Sequence, residues 1–201
     1  MVLKTAETSI AKAVTRRQDD PVVVTRADIN RYEDTIRKLV AENKLLRAEA
    51  EHDDLTGLLG VKALNRALSI TLSEFDRDII PGAACIFIDV DGFKGVNDSR
   101  GHAVGDVLLQ NLSVVLIDEA RPSDQVFRNG GDEFVVVLPG VTGAGASAYM
   151  ARVRARIGEE NLEIKISAGI STLRHKETSS AVLDRAEEEM RRAKELKGAQ
   201  R

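Results

Sequence analysis

The sequence contains no tryptophan, and aromatic residues of every kind make up 3% of it. A core built from such a chain has to be mostly aliphatic. A single cysteine, Cys85, excludes an internal disulfide and reads as a small core residue inside an apolar run. Long apolar runs are missing too. The most apolar stretch, Ile79 to Val90, is too short to cross a bilayer and is interrupted by Pro81 and Gly82. Met1 to Ala13 lacks the uninterrupted apolar segment of a secretory signal. The expectation is a soluble, cytoplasmic protein with no membrane insertion. Charge of neither sign dominates: 29 Lys and Arg against 32 Asp and Glu leave a net charge of −3, which gives no global pull toward nucleic acid.

What is present fits one globular domain with an amino-terminal appendage in 201 residues. Residues 1–25 read either as a flexible tail or as a short amphipathic helix. In the helix, Leu3, Ala6, Ile10, Ala13 and Val14 share a face and Asp19-Asp20-Pro21 ends it. Over residues 26–52, Ile29, Tyr32, Ile36, Leu39, Asn43, Leu46 and Ala50 follow spacings of 3, 4, 3, 4, 3 and 4. That is the a/d repeat of a coiled coil, with Thr25 or Asp28 able to cap its start. With Ile29 at a, Asn43 also falls at a, where a polar side chain favours a parallel two-stranded register. The expectation is a homodimer. The alternative is a lone helix that packs its stripe on the following domain.

Residues 53–201 form that domain. Gly57 and Gly60 mark a turn, followed by a helix over Val61–Phe75 and a buried strand over Ala83–Val90. Asn97 to His102 has loop chemistry. Gly105 and Asp106 open a helix to about Ala120, with Val107, Leu108, Leu112, Val115 and Leu116 inward. A hairpin, a helix over Ala144–Ile157, a strand over Leu162–Thr172 and a last helix over Ser180–Leu196 complete the order. Strand-helix alternation around a hairpin predicts an α/β domain with a central mixed antiparallel sheet flanked by helices.

The hairpin is the informative element. Asn129-Gly130-Gly131-Asp132-Glu133-Phe134 lies between the apolar runs Val126-Phe127 and Phe134 to Leu138. Asn-Gly between strands predicts a tight turn with both central residues at positive φ. Two glycines leave the turn bare, so a phosphate can approach, and two carboxylates follow at once. The plain alternative is an acidic surface turn. A second acidic strand end weighs against it: Asp89-Val90-Asp91-Gly92-Phe93-Lys94, in which Asp89 and Asp91 share a face. The two strand ends could converge on one divalent-metal site, with Lys94 reaching a phosphate. An EF-hand is excluded, because Phe93 stands at the third ligand position, no Gly follows it, and Arg100 is at position twelve.

These residues resemble the GGDEF domain family of diguanylate cyclases, whose signature is spelled by Gly130 to Phe134. Asp54-Leu55-Thr56-Gly57-Leu58, Asp89 through Asp106 and Ser167-Ala168-Gly169-Ile170 match further blocks in order, so the resemblance covers about residues 53–197. It implies a fold like the palm of nucleotide polymerases and class III nucleotide cyclases. It also implies condensation of two GTP into cyclic di-GMP and two pyrophosphates across a dimer. The implied metal ligands for two Mg²⁺ (or Mn²⁺) are Asp89, the carbonyl of Val90, Asp132 and Glu133. Asp132, Glu133 and Lys94 would be catalytic. Phe93, Asn97, Asp106, Gly130, Gly131, Lys194 and Arg128 would serve the substrate, with Asn97 and Asp106 reading guanine, Lys194 contacting phosphate and Arg128 supporting the site. Arg121 and Asp124 stand at the spacing of the family's inhibitory product site. His102 reads as a loop-packing residue.

The chain also departs from the pattern. Leu59-Gly60-Val61 replaces the usual Pro-Asn-Arg at the edge of the guanine pocket. In the last helix the usual Tyr is Arg191, and the Arg expected four residues beyond Lys194 is Gly198, with Lys197 beside it. A catalytically weak GGDEF module acting as a cyclic di-GMP or GTP receptor is therefore the alternative reading.

Overall fold

In the computed structural model, which describes residues 25–49 and 51–198, every residue of strand β1 (Ala83–Val90) is buried. It is an interior strand of a four-stranded sheet with β2 (Gln125–Gly130), β3 (Glu133–Pro139) and β4 (Ile166–Thr172), in the order β2-β3-β1-β4. All three ladders are antiparallel, and the one parallel pairing among the described residues is the isolated bridge Leu59↔Phe127. A strand covered on both faces must be apolar on both, so β1 reads as a continuous apolar run.

Alternation sends successive β1 side chains to opposite faces. Ala84, Ile86 and Ile88 join a core with α4 (His102–Asp118) and α5 (Gly143–Glu159). Ala83, Cys85 and Phe87 join a second core with α2 (Val61–Asp76) and α6 (Ser179–Gly198). The expected aliphatic α/β architecture is thus present. Burial pushes the Cys85 thiol up to about 12, as befits a residue that serves only packing.

Four local expectations are corrected. Asn97–Arg100 is helical, part of α3 (Phe93–Arg100), a helix with no buried residue and hence no apolar periodicity to betray it. Gly92 (φ 74°) and Gly101 (φ 86°) bracket it in left-handed conformations. α4 starts at His102 rather than Gly105, and Val107 is outward and 52% exposed; the inward stripe uses Leu109 instead. β4 begins at Ile166, not Leu162. The Asn-Gly turn differs as well and is taken up with the site.

The chain divides into two units between Leu46 and Arg47. The first contains most of α1 (Arg26–Glu49). Its start is a capping box: the Thr25 N–H donates to Asp28 Oδ2 (3.1 Å) and the Asp28 N–H to Thr25 Oγ1 (3.2 Å). Ile29, Tyr32, Ile36 and Leu39, the first half of the 3-4 repeat, are all exposed. The side chains of Asn43, Leu46 and Ala50, and the amphipathic segment expected within residues 1–25 apart from Thr25, lie outside the described residues. No helix among the described residues is long and apolar enough to cross a membrane.

The backbones of β4 and α6 come very close at Gly169. A Cβ built on Gly169 would lie 2.1 Å from the Ala186 carbonyl oxygen and 2.2 Å from the Met190 nitrogen. Both are backbone atoms that cannot swing aside. Gly169→Ala should therefore cost stability at or beyond the top of the ~1–3 kcal/mol range of an overpacked core. Gly158 in α5 has nothing within 4 Å of such a Cβ, so Gly158→Ala should gain about 0.5–1 kcal/mol. Urea unfolding of the two variants checks both signs.

Candidate active site

β1 ends with its one buried charged residue. Asp89 sits in line with Cys85 and Phe87 on the α6 face, 8% exposed, opposite Glu133 of β3 and Ser167 of β4 in the sheet register. Lys194 reaches it from α6, its ammonium donating to Asp89 Oδ1 at 2.5 Å. One turn on, the Lys197 ammonium donates to Asp91 Oδ2 (3.0 Å), the Ile166 carbonyl (2.7 Å) and Ser167 Oγ (3.1 Å). Ser167 Oγ donates to Asp91 Oδ1 at 2.6 Å. Asp89 and Asp91 thus share a face as expected, each paired with its own lysine.

Charge is unbalanced at this point. Burial pushes the Asp89 carboxyl up from the ordinary value; Lys194 opposes this, and the fields of Asp132 and Asp91 add to it. Burial works to lower Lys194, yet Asp89, Asp91 and Asp132 outweigh it and hold the ammonium's pKa up. Both partners shift upward because several acids surround one ammonium. For Asp91, burial is outweighed by Ser167 and Lys197, which hold it below the usual carboxylate range.

The hairpin delivers the remaining acids. The Val90 N–H donates to the Asp132 carbonyl at 3.2 Å, tying the turn to the end of β1. The pairing shifts register between Arg128 and Gly130, Gly130 faces Glu133, and Gly131-Asp132 form the tip. No residue from Asn129 to Asp132 has positive φ, so the expected Asn-Gly turn gives way to a bulged one. The glycines matter for space instead: a Cβ on Gly131 would meet nothing within 4 Å, and one on Gly130 only the Glu133 Oε2 at 3.9 Å. Asn129 Nδ2 donates to that same Glu133 oxygen at 3.1 Å.

Arg128 is placed as a brace. Its Nη2 and Nε donate to the Gly131 carbonyl (2.6 and 3.2 Å), and its Nη1 to Asp53 Oδ1 (2.8 Å). Asp53 also accepts from the N–H and hydroxyl of Thr56. Burial works to raise the Asp53 carboxyl, and these bonds hold it below the usual range. The guanidinium thus bonds to the protein itself and fixes the turn. Gly60 and Val61, within the departure from the family pattern, line a cleft of about 380 Å³ beside Gly130 and Gly131.

The α3–α4 corner carries Phe93, Lys94, Asn97 and Asp106. Lys94 and Asp106 are exposed, and Phe93 and Asn97 half-buried. Asn97 Oδ1 is buried without a hydrogen-bond partner, against Gly105, where a Cβ would come within 2.0 Å of it. Gly105, read from sequence only as a helix opener, is therefore the residue that gives Asn97 its place. Ser167 and Asp53 are likewise not assigned to the site by sequence reasoning, and Lys197 enters it only as a substitute for the Arg missing at Gly198, whereas here it ties Asp91 to β4.

Arg121 and Asp124 lie elsewhere. Each donates or accepts across a tight corner, Arg121 N–H to Asp124 Oδ2 (2.8 Å) and Asp124 N–H to the Arg121 carbonyl (2.9 Å). Together they line a cleft of about 440 Å³ with Leu58, Ile117 and Val126. The Arg121 guanidinium makes no hydrogen bond or ion pair among the described residues.

Among the described residues no group of three His, Cys, Asp or Glu side chains is already gathered as a cation cage. The chemistry of the donors still suits a hard divalent ion. Asp89, Asp132, Glu133 and the backbone at Val90 offer oxygen alone, and the excess of acid at Asp89 calls for positive charge.

The family of diguanylate cyclase GGDEF domains matches this chain over residues 50–200. Diguanylate cyclase DgcP of Pseudomonas aeruginosa is 35% identical over 157 residues, covering 74% of this chain and 23% of that protein. Response regulator PleD of Caulobacter vibrioides is 32% identical over 182 residues, 86% of this chain and 39% of that protein. The chain therefore spans well under half the length of these curated relatives. The crystal structure of the coiled coil and GGDEF domain of DgcB from Caulobacter crescentus, in complex with c-di-GMP, is similar with a TM-score of 0.73. It is 23% identical and covers 84% of this chain and 93% of that one, a likeness of fold. With its signature on a bare hairpin at the acidic end of the central strand, and with the match running from residue 50 to 200, this chain belongs to the diguanylate cyclase GGDEF domain family.

Proposed function

We propose that this chain is an active diguanylate cyclase, joining two GTP into cyclic di-GMP with release of two pyrophosphates, in a homodimer formed through α1. The observation that carries the reading is the convergence of Asp89, the Asp132-Glu133 turn and Lys194 at one strand end. Each subunit presents one GTP, and the 3′-oxygen of each forms a bond to the α-phosphorus of the other as pyrophosphate leaves. Gly130 and Gly131 let the phosphates approach the turn. Lys94 and Lys194 contact the terminal phosphates, and Asn97 and Asp106 read the guanine edge from the α3–α4 corner. Glu133 takes the proton of the attacking hydroxyl. Asp89, Asp132, Glu133 and the Val90 carbonyl would hold two Mg²⁺ (or Mn²⁺), which when bound supply charge to the attacking and leaving oxygens. Arg128 keeps the turn in register with Asp53. Cyclic di-GMP, bound at Arg121 and Asp124, would inhibit the enzyme.

The receptor reading draws on α6. Arg191, in place of the usual Tyr, pairs with Glu187 and Glu188 on the surface, and Lys197 is tied to Asp91 and β4. Lys197, held by three oxygens, is not free to stand in for the missing phosphate-binding Arg, so weak substrate affinity would follow.

Three measurements test these proposals. Purified protein given GTP and Mg²⁺ should make cyclic di-GMP, and Asp132→Ala or Glu133→Ala should lower synthesis by about a hundredfold or more with unchanged thermal unfolding. Synthesis retained in both variants would place the chemistry elsewhere; none in the parent protein would favour the receptor. Ile36→Asp with Leu39→Asp puts charges in the exposed stripe of α1, and light scattering should then report monomers while synthesis collapses. Finally, calorimetry should show cyclic di-GMP binding at micromolar concentrations or below, a free energy of about −8 kcal/mol or stronger. Arg121→Ala should weaken that binding and relieve inhibition without slowing the initial rate.

A further inference from the structure

The two lysines of α6 differ in how they are held. Lys197 has three oxygen partners, one of them a backbone carbonyl, and anchors the chain just past β1 to β4. Lys194 has one partner among the described residues, Asp89; the two side chains are equally exposed, at 45%, so the difference lies in the number of partners. The first is a fixed tie, while the second can leave by rotating a flexible stem into open space.

The place that Lys194 occupies is the one a divalent cation needs. Its ammonium sits 2.5 Å from Asp89 Oδ1, on a side chain that is only 12% exposed at the end of a central strand. An ammonium and a metal ion cannot both lie against that oxygen, and like charges a few ångströms apart repel strongly in a poorly solvated site. Losing the ammonium with nothing in exchange is also unfavourable, because Asp89 would then stand partly buried among Asp91, Asp132 and Glu133. A triphosphate changes this balance: it offers Lys194 new anionic partners and brings its own cation to the acids left behind.

We infer that Lys194 is a placeholder cation for Asp89, so that divalent metal and nucleotide load cooperatively and the metal alone is resisted. The inference rests on the cyclase reading above and adds an order to it. Lys194 thereby has two successive partners, first a carboxylate and then a phosphate. Idle binding of a metal ion at an acid cluster without substrate is suppressed by the same side chain that later contacts the substrate.

The test is calorimetric titration of Mn²⁺ into the full chain, alone and with a GTP analogue that carries a methylene in place of the α–β bridging oxygen. Lys194→Met and Lys194→Arg are compared with the unaltered protein. Lys194→Met should bind Mn²⁺ alone at least about fivefold more tightly than the unaltered protein, at the lower end of ordinary site-to-site coupling. It should bind the Mn²⁺-analogue pair less tightly. Lys194→Arg, which keeps a cation on Asp89, should resemble the unaltered protein in Mn²⁺ alone. This opposite sign is the discriminating result: a purely structural lysine would weaken both titrations, and a purely phosphate-binding one would leave Mn²⁺ alone unmoved. Equal Mn²⁺ affinity in Lys194→Met and the unaltered protein, with the analogue still binding, overturns the placeholder and leaves the cyclase reading standing. No binding of Mn²⁺ and analogue to any of the three proteins overturns the cyclase reading and the placeholder together.

Discussion

A buried carboxylate with other carboxylates around it needs a cation close by, and at the end of β1 that cation is the ammonium of Lys194. Much of the domain can be understood as what brings these two groups together. The acid has to stand at the end of a strand that is otherwise wholly apolar, because only the end opens toward solvent. The base has to come from a helix that runs beside the strand at a fixed height. The height is set by β4, where Gly169 lets the backbone of α6 come down against the sheet. The apolar packing of Val182, Ala186 and Met190 against Cys85 and Phe87 then keeps α6 on that face.

The second acidic contribution arrives by a different route. β3 pairs with β1 so that Glu133 falls opposite Asp89, and the Val90–Asp132 hydrogen bond finishes the ladder where the hairpin turns. A bare turn of two glycines would be floppy by itself. Arg128 prevents that by holding the Gly131 carbonyl with one edge of its guanidinium and Asp53 with the other. The segment that leads into the domain and the turn that carries the acids are therefore linked through one planar group.

The sequence was legible where burial imposes a period. β1 was read to the residue because both its faces are covered, and α2, α5 and α6 within one or two residues because each buries a stripe. α3 was not legible: it buries no residue, and its limits come from two left-handed glycines rather than from an apolar repeat. Val107 was misassigned because α4 carries apolar residues outside as well as inside, which blurs its phase. At the site, the acids could be named from type and spacing, and Lys194 only from the family resemblance. The tie of Lys197 to Asp91 and the space that Gly105 leaves for Asn97 could not, since both depend on contacts between elements far apart in the chain.

Gly169 has one more implication, for how this domain can change over time. A contact with no room for a side chain acts as an index mark: it fixes where along the strand the helix is read from. Lys194 lies four residues beyond Met190, whose nitrogen faces that mark. Each residue inserted or deleted between them would swing the lysine by about 100° around the helix axis, off Asp89 and into solvent. Substitutions on the outer surface of α6 can drift freely, as the run of Glu and Arg there suggests. Its length between the mark and the lysine cannot.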